Sequence, residues 1–157
     1  MGVEIERKYL VANSLWQSEV ESSVHISQGY LTRGENASVR IRLIGDAAVV
    51  TIKGAADGIQ RAEYEYPIPR EDAEEMLATL ARTPLIEKTR HLIPHEDHVW
   101  ELDVFEGANA GLITAEIELS SIEEAFKKPE WLGKDVSDDV RYGNSNLVGN
   151  PFTEWDR

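Results

Sequence analysis

Val3-Glu4-Ile5-Glu6-Arg7-Lys8-Tyr9-Leu10 alternates charged and apolar side chains along its length. Residues at i and i+2 of a strand share a face, so Glu4, Glu6 and Lys8 project together. Val3, Ile5 and Tyr9 project the other way, and Arg7 is the exception on that second face. The same period of two returns at 26–31, 38–43, 49–53, 61–67, 85–90, 99–104 and 115–119. With the opening stretch this makes about eight strands, each bounded by turn-forming or irregular sequence. Three helices are expected between them. Asn13 or Ser14 caps one that runs through Trp16 to Val20. A second spans 70–82, with Ala73, Met76, Leu77 and Leu80 at the spacing of one helical face. Ser121-Ile122-Glu123-Glu124 reads as a capping box for a third, ended by Pro129. The tail from 137 to 148 is mixed and suggests one short helix. Strands dominate, so the class is α+β.

Alternation alone also describes a half-solvated sheet, apolar inside and charged outside. Two features point to the opposite orientation. The charges segregate by strand: Arg40 with Arg42 and Lys88 with Arg90 are cationic, while Glu101 with Asp103 and Glu116 with Glu118 are anionic. A solvated face more often mixes its charges and uses Thr, Ser and Gln. There are also enough strands to close, because about eight make a barrel that holds one small ligand. The expectation is therefore a closed eight-stranded antiparallel β-barrel, a tunnel with charged walls and a few covering helices, formed by 1–157 as a single domain.

The chain has 157 residues and a formal net charge of −13. A surface this acidic repels nucleic acid and anionic lipid over a Debye length of about 8 Å. The proposed inward cations and anions nearly balance, so the acidity belongs to the outside. No apolar run is long enough to span a membrane, and the strand pattern begins at once without a signal region. Glu6 stands where a myristoylation motif after Met1-Gly2 requires Ser or Thr. The chain has no cysteine, which excludes thiolate chemistry and makes the cytoplasm the expected compartment.

Paired carboxylates on strands are oxygen ligands for a hard divalent ion, while Arg and Lys clusters hold phosphate. Together they suggest phosphoryl transfer, whose transition state needs charge neutralisation more than covalent help. No Gly-rich phosphate loop competes with this reading. His91, His95 and His98 read as a surface turn between two strands rather than a zinc site.

Glu4-Ile5-Glu6-Arg7-Lys8 resembles the Glu-x-Glu-x-Lys signature of the CYTH domain, or triphosphate tunnel metalloenzymes. Gln28-Gly29-Tyr30-Leu31, Val39-Arg40-Ile41-Arg42, Thr51-Ile52-Lys53 and Arg61-Ala62-Glu63-Tyr64-Glu65 follow in family order. So do Glu87-Lys88-Thr89-Arg90, Glu101-Leu102-Asp103, Glu116-Ile117-Glu118 and a tail containing Arg141-Tyr142. The resemblance implies Mg²⁺ or Mn²⁺ dependence and hydrolysis of inorganic triphosphate, with ATP cyclisation, thiamine triphosphate hydrolysis and non-catalytic binding of polyphosphate or nucleotides as alternatives. By position, Glu4, Glu6, Glu63, Glu65, Glu116 and Glu118 would hold metal. Lys8, Arg40, Arg42, Lys53, Arg61, Lys88, Arg90 and Arg141 would grip the phosphates. Lys8, Tyr30 and Glu63 would take part in the chemistry. The implied partner is a small triphosphate, with neither nucleic acid nor membrane, and uncovered apolar barrel surface favours a homodimer.

Overall fold

The computed structural model describes residues 2–155. Its strands are β1 (Val3–Val11), β2 (Ser22–Arg33), β3 (Ala37–Ile44), β4 (Ala47–Gly54), β5 (Gln60–Pro67), β6 (Ile86–His95), β7 (His98–Glu106), β8 (Ile113–Glu118) and β9 (Leu132–Asp135). The helices are α1 (Arg70–Thr79) and α2 (Asn144–Gly149). Hydrogen bonding runs in the order β5-β4-β3-β2-β6-β7-β8-β1-β9, and an additional β5–β1 pairing closes the first eight into a barrel. Every pairing is antiparallel.

Closure is least regular along β1. Val3, Glu4 and Ile5 pair with β5, whereas Tyr9 and Val11 pair with β9 on either side of a register shift. Between these contacts the wall is bridged by single bonds, Glu6 N–H to the Ile59 carbonyl at 3.1 Å and Val136 N–H to the Lys8 carbonyl at 2.8 Å. Gly133 lets β9 approach closely: a Cβ there would lie 2.9 Å from the Leu10 carbonyl oxygen.

Because charge faces inward, apolar side chains cover the outside and need shelter. Tyr9, Trp100, Leu102, Ala115 and Ile117 pack beneath Trp131 and Leu119 of the segment joining β8 to β9. Against β3 and β4, Ala73 and Leu77 of α1 meet Ile41 and Ala48. Each fully buried aliphatic side chain of this kind contributes about 1.5–3 kcal/mol. Leu147 and Val148 of α2 pack against Tyr30, Ile86 and Phe105. The outer face of β1, β4 and β5 stays bare, with Val3, Ile52, Tyr64 and Tyr66 exposed.

Three expectations need correction. The capping box at Ser121 makes no helix: Glu124 instead accepts from the backbone N–H of Ser120 at 2.5 Å and from its hydroxyl at 2.6 Å, fixing a turn. The element at 15–19 is a 3-10 helix, with Leu15 N–H bonded to the Asn13 side chain at 3.0 Å. β9 is an added strand; too short to show alternation, it is specified by its pairing with β1.

Candidate active site

The even-numbered residues of β1 meet inward-facing side chains from all around the ring. A cavity of about 210 Å³ results, walled by charge. Glu4, Glu6, Glu63, Glu65, Glu116 and Glu118 all line it, as do Lys8, Arg40, Arg42, Lys53, Arg61, Arg90 and Tyr30. Apart from Tyr30, its described wall residues offer no aromatic or aliphatic side chain.

One part of the wall is carboxylate-rich. Oxygens of Glu4, Glu63 and Glu118 lie within 4.8 Å of one another. Burial, followed by a hydrogen bond shared with Glu63, lifts the Glu4 carboxyl above its ordinary range. Burial also raises Glu118, with the Glu4 charge adding to it. Glu6 is pushed well up by burial and by Glu116. Burial would raise Glu116 too, but Lys8 and Arg90 outweigh it and hold Glu116 well below the usual range. Crowded oxygens whose ionisation is resisted fit a hard divalent cation, which replaces their protons and accepts an all-oxygen ligand set.

Most cations of the wall are committed to carboxylates. Lys53 Nζ lies 3.1 Å from Glu4 and 3.5 Å from Glu63, and Arg61 is 3.8 Å from Glu4. Lys8 stands 3.6 Å from Glu116 and donates to the Tyr142 carbonyl at 3.0 Å. Arg90 grips Asp103 with two bonds, at 2.8 and 3.0 Å, and reaches Glu101 at 3.2 Å and Glu116 at 3.3 Å. Arg40 has only Thr51 at 3.3 Å and Glu65 at 4.0 Å. Among the described residues Arg42 touches no carboxylate; its Nε donates to the Gln28 amide oxygen at 2.7 Å. Burial, then repulsion from Arg40 and Arg90, brings Arg42 down to about 10.

Two predicted phosphate contacts depart from the wall. Lys88 is fully buried behind it, 2.7 Å from Asp103 and 3.4 Å from the Asn144 side chain. Burial drives its ammonium down to about 7 against the pull of Asp103. Arg141 is exposed: it is clamped to Asp139 at 2.6 Å and stacked over Trp155 and Tyr142. The wall also includes Ser38 and Glu101, which parity turns inward but to which the sequence assigns no role, and the turn Gly143-Asn144-Ser145, which strand parity does not reach. Glu101 carried a signal in its pairing with Asp103. The turn is irregular chain, and periodicity is silent there. A second opening is formed where β5 gives way to β9 on β1; Ala56, Ile59, Val136 and Val140 rim it, and Glu4, Glu6 and Lys8 line both compartments.

The family model of the CYTH domain matches residues 2–146. The chain is 45% identical over 155 residues to an inorganic triphosphatase of Acetivibrio thermocellus, covering 99% of each protein. It is 37% identical over 149 residues to an inorganic triphosphatase of Nitrosomonas europaea, covering 92% of this chain and 96% of that one. The crystal structure of an inorganic triphosphatase superposes with a TM-score of 0.66 at 35% identity, over 92% of this chain and 97% of the other. A putative adenylate cyclase from Bacillus halodurans shares the fold, with a TM-score of 0.59 at 16% identity over 83% of this chain and 97% of the other.

Proposed function

The chain belongs to the CYTH domain family, and from that premise we propose that it hydrolyses inorganic triphosphate to diphosphate and phosphate with a divalent cation. One observation carries the reading: one small cavity contains both a carboxylate cluster and an arginine pair with little or no counter-charge among the described residues, and Tyr30 is the one aromatic side chain among its described wall residues. Mg²⁺ or Mn²⁺ is held by Glu4, Glu63 and Glu118, with Glu6, Glu65 and Glu116 supporting it. The cation supplies charge neutralisation on phosphate oxygens and a lowered pKa for water bound to it. Arg40 and Arg42 take phosphate oxygens, Arg as a fork, while Lys53, Arg61 and Arg90 balance charge along the tunnel. Lys8, which burial would deprotonate, stays charged because Glu116, Glu6 and Asp103 outweigh burial. It is therefore suited to stabilise the leaving phosphate. A carboxylate of the cluster orients the attacking water, and Tyr30 lines the same space. The enzyme acts in the cytoplasm on a small soluble substrate, and among its described residues no helix is long and apolar enough to cross a membrane. The bare face of Val3, Ile52, Tyr64 and Tyr66 favours pairing of two copies.

The test supplies purified protein and Mg²⁺ with tripolyphosphate, ATP or thiamine triphosphate, and measures phosphate and cyclic AMP. Phosphate released fastest from tripolyphosphate is expected; cyclic AMP from ATP would replace this reading with a cyclase. Glu4→Gln and Glu118→Gln should each lower turnover at least about 100-fold, the loss expected when a transition-state charge stabiliser goes, with circular dichroism unchanged. Full activity in either variant would remove the metal assignment.

A further inference from the structure

Gln28 lies in β2 opposite Arg42 of β3 and is completely buried. It does not line the cavity. Its amide oxygen receives the Arg42 Nε–H at 2.7 Å, while its Nε2 has no partner. This orientation of the amide is fixed by the donor it faces, since the reverse would set two N–H donors against each other. A buried amide with an idle donor costs the fold stability. What the glutamine supplies in return is its acceptor for the Arg42 Nε–H, so the reason for glutamine here lies in Arg42.

The neighbouring arginine makes the contrast clear. Arg90 also comes from a strand paired with β2, and it is held by two bonds to Asp103. A carboxylate orients an arginine and cancels its charge together. An amide oxygen orients it and leaves the charge in place. Arg42 has the second kind of partner and, among the described residues, no carboxylate within ion-pair distance. Binding through Nε also leaves the terminal nitrogens of the guanidinium, the fork that matches phosphate, without a partner among the described residues.

Resting on the triphosphatase reading above, we propose that Gln28 is a positioning residue that aims the Arg42 guanidinium at a substrate phosphate and, because it is neutral, reserves that charge for the substrate. Gln28 touches no substrate itself. Its effect runs through Arg42, so it should appear in substrate affinity and vanish when Arg42 is absent.

The experiment compares Gln28→Glu and Gln28→Leu, alone and combined with Arg42→Ala. It measures KM and kcat for tripolyphosphate with Mg²⁺, tripolyphosphate binding to metal-free protein by calorimetry, and thermal midpoints. Gln28→Glu keeps shape and acceptor but supplies the missing counter-charge, so KM and the metal-free Kd should rise roughly ten-fold or more, with kcat falling less. Gln28→Leu should raise KM by several-fold through loss of aim. In the Arg42→Ala background neither change should move KM by more than about two-fold. Unchanged KM in Gln28→Glu, or effects that add fully to Arg42→Ala, would overturn the inference. So would loss of folding in both Gln28 variants while Arg42→Ala folds, since that assigns Gln28 to the scaffold. A wild-type protein that neither binds nor cleaves tripolyphosphate would instead sink the triphosphatase reading.

Discussion

Lys88 and Arg90 converge on one carboxylate, Asp103, which is 1% exposed. Burial alone would raise Asp103, but the two cations outweigh it and keep the carboxyl below its ordinary range. Removing one member of a buried ionic set strands the others without compensation. Asp103→Ala should therefore destabilise the protein by about 3–5 kcal/mol, read as a lower urea midpoint. A loss below about 1 kcal/mol, the size of a surface ion pair, would mean that the cluster is wet and loosely held. Residue-level reading of the sequence recovered most of this wall, because inward parity follows directly from alternation. It assigned Lys88 to the phosphates, since sequence shows that Lys88 points inward but not how deep it sits. Arg141 escaped for a different reason: its placement depends on Asp139, Tyr142 and Trp155 in irregular chain.

At the scale of elements, strand period was the legible quantity. All eight barrel strands fall where the alternation lies, though β2, β4, β6 and β7 run several residues longer than their alternating cores. The covering segments were less legible, because a short helix is decided by tertiary partners more than by propensity. The turn after β8 illustrates this. Glu124 looks like the third residue past a helix cap, yet its carboxylate is taken by Ser120 and by His98 across the segment. Hydrogen bonds from the Ser120 side chain and backbone, then from His98, hold Glu124 at about 2, below its ordinary 4.5. A carboxylate with a depressed folded-state pKa stabilises the fold above its unfolded value, and that contribution disappears as pH falls through the folded value. The difference in urea midpoint between the wild type and Glu124→Ala should thus be full at pH 5.5, shrink below about 4.5 and close near 2. A difference that stays constant across this range would show that the turn is held by packing instead.

For the whole molecule, the division of charge between inside and outside governs behaviour. The net charge of −13 lies mostly on the surface, where it opposes compaction and is screened by salt within about 10 Å at 0.1 M. The lumen is different. Its carboxylates converge from several strands, and Glu4, Glu63 and Glu118 repel one another at close range. Monovalent and divalent salts should therefore act at separate places. Raising NaCl from roughly 10 to 150 mM should lift the thermal midpoint by similar amounts in the wild type and in Glu118→Gln, because surface repulsion is common to both. Adding Mg²⁺ or Mn²⁺ at constant ionic strength should lift the wild type further and saturably, by about 2.7 kcal/mol at 100 times the dissociation constant. Glu118→Gln should lose most of that second increment, since one of the three converging carboxylates has become neutral. If divalent ions stabilised the two proteins equally, they would be acting on the acidic exterior, and the converging carboxylates would not be where the cation binds.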